Sequence, residues 1–560
     1  MCGITGIVEN HPLNHDRKNL LNSSCEKIRH RGPDQQGIFC EKKVGLGSRR
    51  LAIRDKEKGH QPFQYKYYVI VFNGELYDFQ SLKKELLARG YQIRTSCDTE
   101  IFLYAFIEFG IEYLKKINGM FAFGIWDKKE EKLTLGRDRW GEKPLYYTHQ
   151  NGALAFASEI AALKVWPHIE WEPSIPQLHF FLKHSYLCGK TTGWENVSKL
   201  DPGSVLTWHK NRTKTHTYFS PHLTEKNTPL KELPQKIEES VKNCLISDRP
   251  VGTFLSGGID SAIITHFAAN HQPNLKTFSL DWEENNYSEK EAIIETAHSL
   301  GVQNYRTFCT PEFFKKHFDS LVQICGEPFA DESLFPCYCL SLFAKQHVDV
   351  VLTGDGADEL FHGYERYYSY NGPIESYLDI FSATPEKVFS QIVHSRDQIN
   401  MPFLPKNTSL REKSLLDMRT YLPHDILTKI DRATMGASLE ARAPFLTQEI
   451  SSIALSLPPN ALYDDEYLGK KALKKAMSGL LPDKILMRKK RGFGMPLEEW
   501  FRTPLKEWVQ IRLTEGNLPH VNWIDMEGVK RVLQDHIKRK INASRPLLNL
   551  LVLNSWLTQR

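Results

Sequence analysis

At 560 residues the chain is too long for a single hydrophobic core, so two or more domains are expected. A hydrophobic fraction of 41% and a charged fraction of 25% are those of an ordinary globular protein and exclude a disordered or collagen-like chain. A net charge of +5, spread along the chain, argues neither for nor against nucleic acid, the ten cysteines lack disulfide-framework spacing, and no apolar run reaches the ~18 residues of a membrane helix.

The expected setting is therefore cytoplasmic, without a signal peptide and with neither nucleic-acid nor membrane partners. The densest basic run, Met487-Arg488-Lys489-Lys490-Arg491, reads either as a solvated loop or as a phosphate contact.

The chain opens Met1-Cys2-Gly3-Ile4-Thr5-Gly6-Ile7-Val8, a buried first strand headed by a thiol. Trimming of Met1 would leave a thiol and a free α-amine on one residue, and an amine of pKa near ~8 serves as a built-in base. A polar turn follows at Arg29-His30-Arg31-Gly32-Pro33-Asp34, then a strand over 44–53 that delivers Arg49-Arg50. Tyr68–Phe72 reads as a buried strand that stops at Asn73-Gly74-Glu75. Asn73 offers an amide N–H and Gly74 an unhindered backbone N–H, the two donors of an oxyanion hole; Asn-Gly is also the commonest hairpin turn. Helices are expected over 81–90 and 101–109, with Asp98 in the cap of the second or holding the amino group of a small substrate. Strands at 120–127 and 132–137 precede Gly141-Glu142-Lys143-Pro144.

Taken in order, Cys2-Gly3-Ile4, Arg29–Asp34, Arg50-Leu51-Ala52-Ile53, Asn73-Gly74-Glu75, Cys97-Asp98-Thr99-Glu100 and Gly119–Phe123 resemble the class II glutamine amidotransferase domain. The resemblance implies an N-terminal-nucleophile fold, an αββα sandwich over residues 2–208. It implies that Cys2 attacks the glutamine carboxamide and that Asn73 and Gly74 hold the oxyanion. Arg50 would take the glutamine α-carboxylate, Glu75 and Asp98 its ammonium, and Leu51, Ala52, Ile53 and Arg54 would line the pocket.

Residues 209–231 turn polar and read as a linker, with 232–560 as a second domain. A helix over 233–245 precedes a strand at 251–255, the loop Ser256-Gly257-Gly258-Ile259-Asp260-Ser261 and a helix over 262–269. Glycines and a helix N-terminus suit a phosphate, and Asp260 suits Mg²⁺, but the Walker A ending is absent. Strand signals at 275–280 and 348–353, with a helix over 289–300, argue for a doubly wound parallel sheet with ligands at its C-terminal strand ends. One of those ends carries Asp355, Asp358 and Glu359. Like charges crowd together to hold a cation or to act as a base, or else form a solvated acidic turn.

The phosphate loop together with Thr353-Gly354-Asp355-Gly356-Ala357-Asp358-Glu359-Leu360-Phe361 resembles the PP-loop ATP pyrophosphatase domain of glutamine-hydrolysing asparagine synthetases. Lys429–Met435, Leu439–Leu446, Gly469-Lys470-Lys471 and Lys490–Leu497 extend the likeness. It implies ATP and Mg²⁺: Leu255 and Leu280 at adenine, Thr353 and Gly354 at the ribose and phosphate side, Ser256, Gly257, Gly258, Asp260, Ser261 and Lys470 at pyrophosphate, and Asp260 and Asp358 on the metal. The substrates implied are glutamine, ATP and aspartate, the last converted to an acyl-adenylate and amidated. Whether the chain pairs as a homodimer is left open.

Three positions depart from the family pattern. Asp355 stands where the best-known members carry a catalytic Glu, His362 replaces a glycine, and Ser288 replaces an aspartate. Asp at the first position leaves open a different acceptor, such as a uronic acid of a surface polysaccharide. The residues after Arg502 are expected to be apolar-poor capping helices.

Overall fold

Alternation along the strands sorts the amino-terminal half into layers. In the strand Cys2–Glu9, Ile4 and Val8 point into one cluster and Ile7 into another, with Leu21 and Ile160. In the strand Tyr68–Leu76, Val69 and Val71 join Ile4 and Val8, while Ile70 and Phe72 pack against Leu82 and Phe102. Two six-stranded sheets thus face each other. Helix Arg17–Lys27 covers the first, and helices Phe79–Ala88 and Asp98–Phe109 cover the second. This is the expected αββα sandwich. The computed structural model describes residues 2–10, 16–224, 230–284, 286–370, 372–373, 377–394, 409–464, 466–489, 492 and 494–558.

Several boundaries differ from the sequence reading. The strand expected to end at Phe72 runs on to Leu76, pairing Asn73 with Ala122 and Gly74 with Phe121. Asn73-Gly74 is mid-strand, not a turn. A Cβ on Gly74 would lie 2.3 Å from the Met120 carbonyl oxygen, so only glycine allows this close pairing. The expected linker from 209 begins as a strand: Arg212–Thr217 pairs with Ser204–His209 and forms the edge of the second sheet. Its six residues are all exposed, which is why polarity there mimicked a linker. Residues 225–229 lie outside the described residues.

The carboxyl-terminal half holds five parallel strands in the order 303–308, 276–281, 251–254, 350–352, 440–442. Helix Ile259–His271 packs on one face and Leu334–Lys345 on the other, giving the expected doubly wound sheet. The segment expected to be apolar-poor ends in helix Ser544–Leu557, which is buried along almost its whole length. It packs against helices from both halves, Ile175–His184 and Pro311–Cys325, and Trp556 lies 4.6 Å from Trp194. The helix is buried on nearly every side because its polar members are paired: Asn549 Nδ2 donates to the Leu182 carbonyl and Asn554 Nδ2 to the Arg512 carbonyl, each at 2.9 Å.

The halves are also joined by buried charge. Arg31 donates to both carboxylate oxygens of Asp431 at 2.8 Å and to Glu159 at 2.8 Å. Arg432 lies 3.1 Å from Glu159, and both are fully buried. Such groups tolerate burial only when paired.

Candidate active site

Strand parity builds the first centre. Cys2 continues the inward face of Ile4 and Val8, and Asn73 that of Val69 and Val71, so the two meet at one end of the sandwich. The Cys2 backbone nitrogen donates to Asn73 Oδ1 at 3.0 Å. That contact leaves the other end of the amide unengaged: Asn73 Nδ2 is buried and has no hydrogen-bond partner among the described residues. An unsatisfied buried donor is costly, and its place beside a thiol is that of an oxyanion donor.

Burial pushes the Cys2 thiol up from its ordinary value, while the Arg50 guanidinium and the Leu51 backbone N–H pull it down. Two residues that the sequence reading missed also stand here. Gln61 Nε2 lies 3.9 Å from Cys2 Sγ and donates to Thr99 Oγ1 at 3.1 Å, while Gln61 Oε1 accepts from Phe72 N at 2.7 Å. Gln61 follows a loop of no periodicity, so nothing local singled it out.

The residues expected at the glutamine pocket hold its loop together. Arg50 donates to the carbonyls of Arg54 and Asp55 at 2.5 and 2.8 Å and to Gln35 Oε1 at 2.9 Å. Its fork therefore clamps the loop after Ile53. Glu75 Oε1 lies 2.5 Å from Arg54 Nε, and Glu75 Oε2 lies 3.5 Å from Arg442. Both of its oxygens face arginines. Asp98 opens its helix as the first residue, not the cap, and accepts from Leu76 N at 3.2 Å. Ala52 N is held by Asp34 Oδ2 at 2.8 Å, and the Ala52 and Ile53 carbonyls accept from Arg249 Nε and Asp248 N of the other half at 3.1 and 3.2 Å.

The second centre forms where the parallel strands end. Ser256 and Ser261 hydroxyls lie 2.9 Å apart, and Gly258 N donates to Ser256 Oγ at 3.1 Å, which curls the loop over the start of helix Ile259–His271. Lys470 Nζ stands 2.5 Å from Asp260 Oδ2 and 2.6 Å from Asp358 Oδ1. Although burial alone would lower its pKa, the two carboxylates hold the ammonium charged. Gly363 makes the approach possible, since a Cβ there would lie 1.9 Å from Asp358 Oδ1 and 2.3 Å from Lys470 Cε.

Leu255 N pairs with the Phe278 carbonyl at 2.8 Å, so Leu255 and Leu280 end neighbouring strands. Thr353 N donates to the Arg442 carbonyl at 2.9 Å, and Gly354 packs against Asp260. Of the basic run, Arg488 donates to the Gly257 carbonyl at 2.5 Å and to Glu295 at 2.7 Å, bracing the phosphate loop. Lys490, Arg491 and Phe493 lie outside the described residues.

The departures also find places. Asp355, with Asp331, holds the buried Lys429 ammonium charged against the pull of burial. His362 adopts φ 59°, the left-handed conformation that glycine takes freely, and burial pulls its imidazole down to about 3. Ser288 Oγ donates to Asp281 Oδ1 at 2.8 Å.

Known proteins are similar to this chain along nearly its whole length. The glutamine amidotransferase domain family matches residues 1–219 and the asparagine synthase family residues 232–558. The glutamine-hydrolyzing asparagine synthetase 1 of Bacillus subtilis is 33% identical, covering 99% of this chain and 96% of the relative. Asparagine synthetase 3 of the same organism is 30% identical over 90% of each chain. A putative asparagine synthetase of Mycobacterium bovis is 29% identical over 99% of this chain and 97% of its own.

Proposed function

The chain belongs to the asparagine synthase family, and from that premise we propose that it is a glutamine-dependent, ATP-consuming ligase that amidates aspartate. The observation that carries the reading is Asn73 Nδ2, buried beside Cys2 and without a hydrogen-bond partner among the described residues. It supplies a donor where negative charge develops when the thiol attacks a carboxamide.

With Met1 removed, the Cys2 nitrogen is an amine, and it takes the thiol proton and passes it to the leaving ammonia. Attack on the glutamine carbonyl gives a thioester and ammonia; water then releases glutamate. Arg50 acts by holding the pocket loop in place, and Asp98 is a carboxylate to meet the glutamine ammonium.

In the second centre ATP binds across the strand ends. Leu255 and Leu280 flank the base, Thr353 and Gly354 the ribose and phosphate side, and Ser256, Gly257, Gly258, Ser261 and Lys470 the pyrophosphate. The oxygen donors Asp260 and Asp358 already converge on one cation, Lys470 Nζ. Such a pair fits Mg²⁺, which takes one or two carboxylates and completes its shell with phosphate oxygens and water. Bound there, Mg²⁺ would neutralise charge on the phosphates. The aspartate β-carboxylate attacks the α-phosphorus, pyrophosphate leaves, and ammonia displaces AMP from the acyl-adenylate.

Aspartate, glutamine, ATP and Mg²⁺ incubated with the protein are expected to yield asparagine, glutamate, AMP and pyrophosphate. Absence of asparagine, with glutamine still hydrolysed, would retire the aspartate reading. The shorter Asp355 favours one second reading, a larger carboxylate such as a uronic acid. A panel of acceptors in the same pyrophosphate-release assay separates the two.

A further inference from the structure

The loop 138–145 joins strands Lys132–Arg137 and Tyr146–Gln150 of the amidotransferase half and lies against the synthetase half, where Lys143 Nζ is 3.8 Å from Asp431, and its own hydrogen bonds fix its shape. Asp138 accepts backbone N–H bonds from Phe121 at 3.2 Å, Trp140 at 3.1 Å, Glu142 at 2.9 Å and Lys143 at 2.9 Å. Arg137 donates to the carbonyls of Gly141, Lys143 and Leu200, each at 2.8 Å. A carboxylate gathering four N–H groups beside a guanidinium holding three carbonyls makes a rigid turn.

That turn points one side chain at the other domain. Glu142 is 8% exposed, and its carboxylate has no hydrogen-bond or ion-pair partner among the described residues. It lines a cavity with Lys143, Thr353, Asp431, Arg442 and Ala443, so residues from both halves form the walls. The space, about 10 Å³ for the centre of a water-sized molecule, is of the order one water or one ammonia needs. Thr353 belongs to the loop that carries Asp355.

We infer that Glu142, a residue of the amidotransferase half, is a catalytic base of the synthetase reaction: it receives ammonia in this cavity and takes its proton during amide formation. In that step the ammonia lone pair forms a bond to the acyl-adenylate carbonyl carbon. The carbon–oxygen bond to phosphate breaks and AMP leaves with its electron pair. One N–H proton passes to the Glu142 carboxylate, leaving a neutral amide. Asp355 is one methylene shorter than the glutamate of the best-known members and helps hold Lys429 charged, and Glu142 adds a second carboxylate at the boundary between the halves.

Burial, first, and the charges of Asp138 and Asp355 push the Glu142 carboxyl up to about 8, with Lys143 opposing. A base of that strength is matched to proton transfer near neutral pH. The other groups facing it are Tyr77, Cys244, Asp431 and Arg442.

The inference rests on the proposed ligase function, and the experiment separates the two. Full-length wild type, Glu142→Gln and Glu142→Asp are compared in three readings: glutamine hydrolysis, hydroxylamine trapping of the acyl-adenylate, and glutamine-dependent amide formation across pH. Gln matches the buried protonated acid in shape and is expected to fold, which thermal melting checks. Glu142→Gln is expected to trap adenylate at near wild-type rate, while amide formation falls on the order of a hundredfold. Its amide-formation rate should lose the acid limb of the wild-type pH profile, and Glu142→Asp should fall between. Amide formation within about twofold of wild type, or a parallel loss of adenylate trapping, overturns the role of Glu142. Failure of wild type to amidate any acceptor overturns the ligase reading itself, and the inference with it.

Discussion

Glu75 Oε2 of the amidotransferase half lies 3.5 Å from the Arg442 guanidinium of the synthetase half. Glu75 stands two residues beyond Asn73 on the same strand. The Arg442 carbonyl accepts from Thr353 N at 2.9 Å, and its guanidinium pairs with Glu440 at 2.7 Å and donates to the Cys244 and Ile246 carbonyls at 2.7 and 2.8 Å. One fully buried arginine therefore touches the strand of Asn73 on one side and the loop of Asp355 on the other.

Replacing Arg442 with Met leaves Glu75 and Glu440 buried without that cation. Breaking such a network costs about 3–5 kcal/mol, because the remaining charge stays desolvated. Thermal melting of Arg442→Met should show the loss, and Glu75→Gln added to it should recover part, since the two residues share one contact. The glutamate-to-asparagine ratio should also rise above one as the centres lose registration. An unchanged ratio would separate Arg442 from coupling.

Cys2→Ala removes the only nucleophile proposed for glutamine. Glutaminase activity should disappear while added ammonium salts still support asparagine formation at near wild-type rate. Loss of both activities in a folded variant would contradict two separate centres.

Lys470→Met takes the cation from between Asp260 and Asp358. Pyrophosphate release should fall on the order of 10²–10³-fold, the scale on which fixed charge stabilises a transition state. Glutamine hydrolysis should stay within about twofold. Steady-state assays of the two products check this, and normal pyrophosphate release would remove Lys470 from the phosphate site.

Acid should destabilise the fold through its buried histidines. Burial pulls His184 and His362 down to about 3, so both stay neutral in the native state. The unfolded chain protonates them near pH ~6.5 and binds protons that the folded chain refuses. Their contribution to stability is thus fully present above that pH and lost as pH falls toward 3. His362→Asn keeps a residue that tolerates the left-handed conformation and removes one titration. The drop in Tm between pH 7.5 and pH 5.0 should be smaller in the variant, by calorimetry.

Much of this protein is local and was legible. The apolar runs Cys2–Val8 and Tyr68–Phe72 mark buried strands, and only the ladder that carries the second on to Leu76 places Asn73 on the inward face with Val69 and Val71. The glycines and Asp260 after a short apolar strand mark the phosphate loop for the same reason: backbone approach and a helix start are written in neighbouring residues. Partner choice was not legible, because it depends on distance across the fold. Nothing near Glu75 or Arg50 in sequence says that Arg442 and the 54–55 carbonyls reach them first. Gln61 enters the thiol pocket from a loop without period, and Glu142 leaves its own domain for a neighbour's cavity. The exposed strand Arg212–Thr217 has a linker's composition, and only its ladder with Ser204–His209 makes it part of a sheet. Sequence determined the layers and the reactive groups; the packing of two halves around buried charge decided which of those groups are already engaged and which still face a substrate.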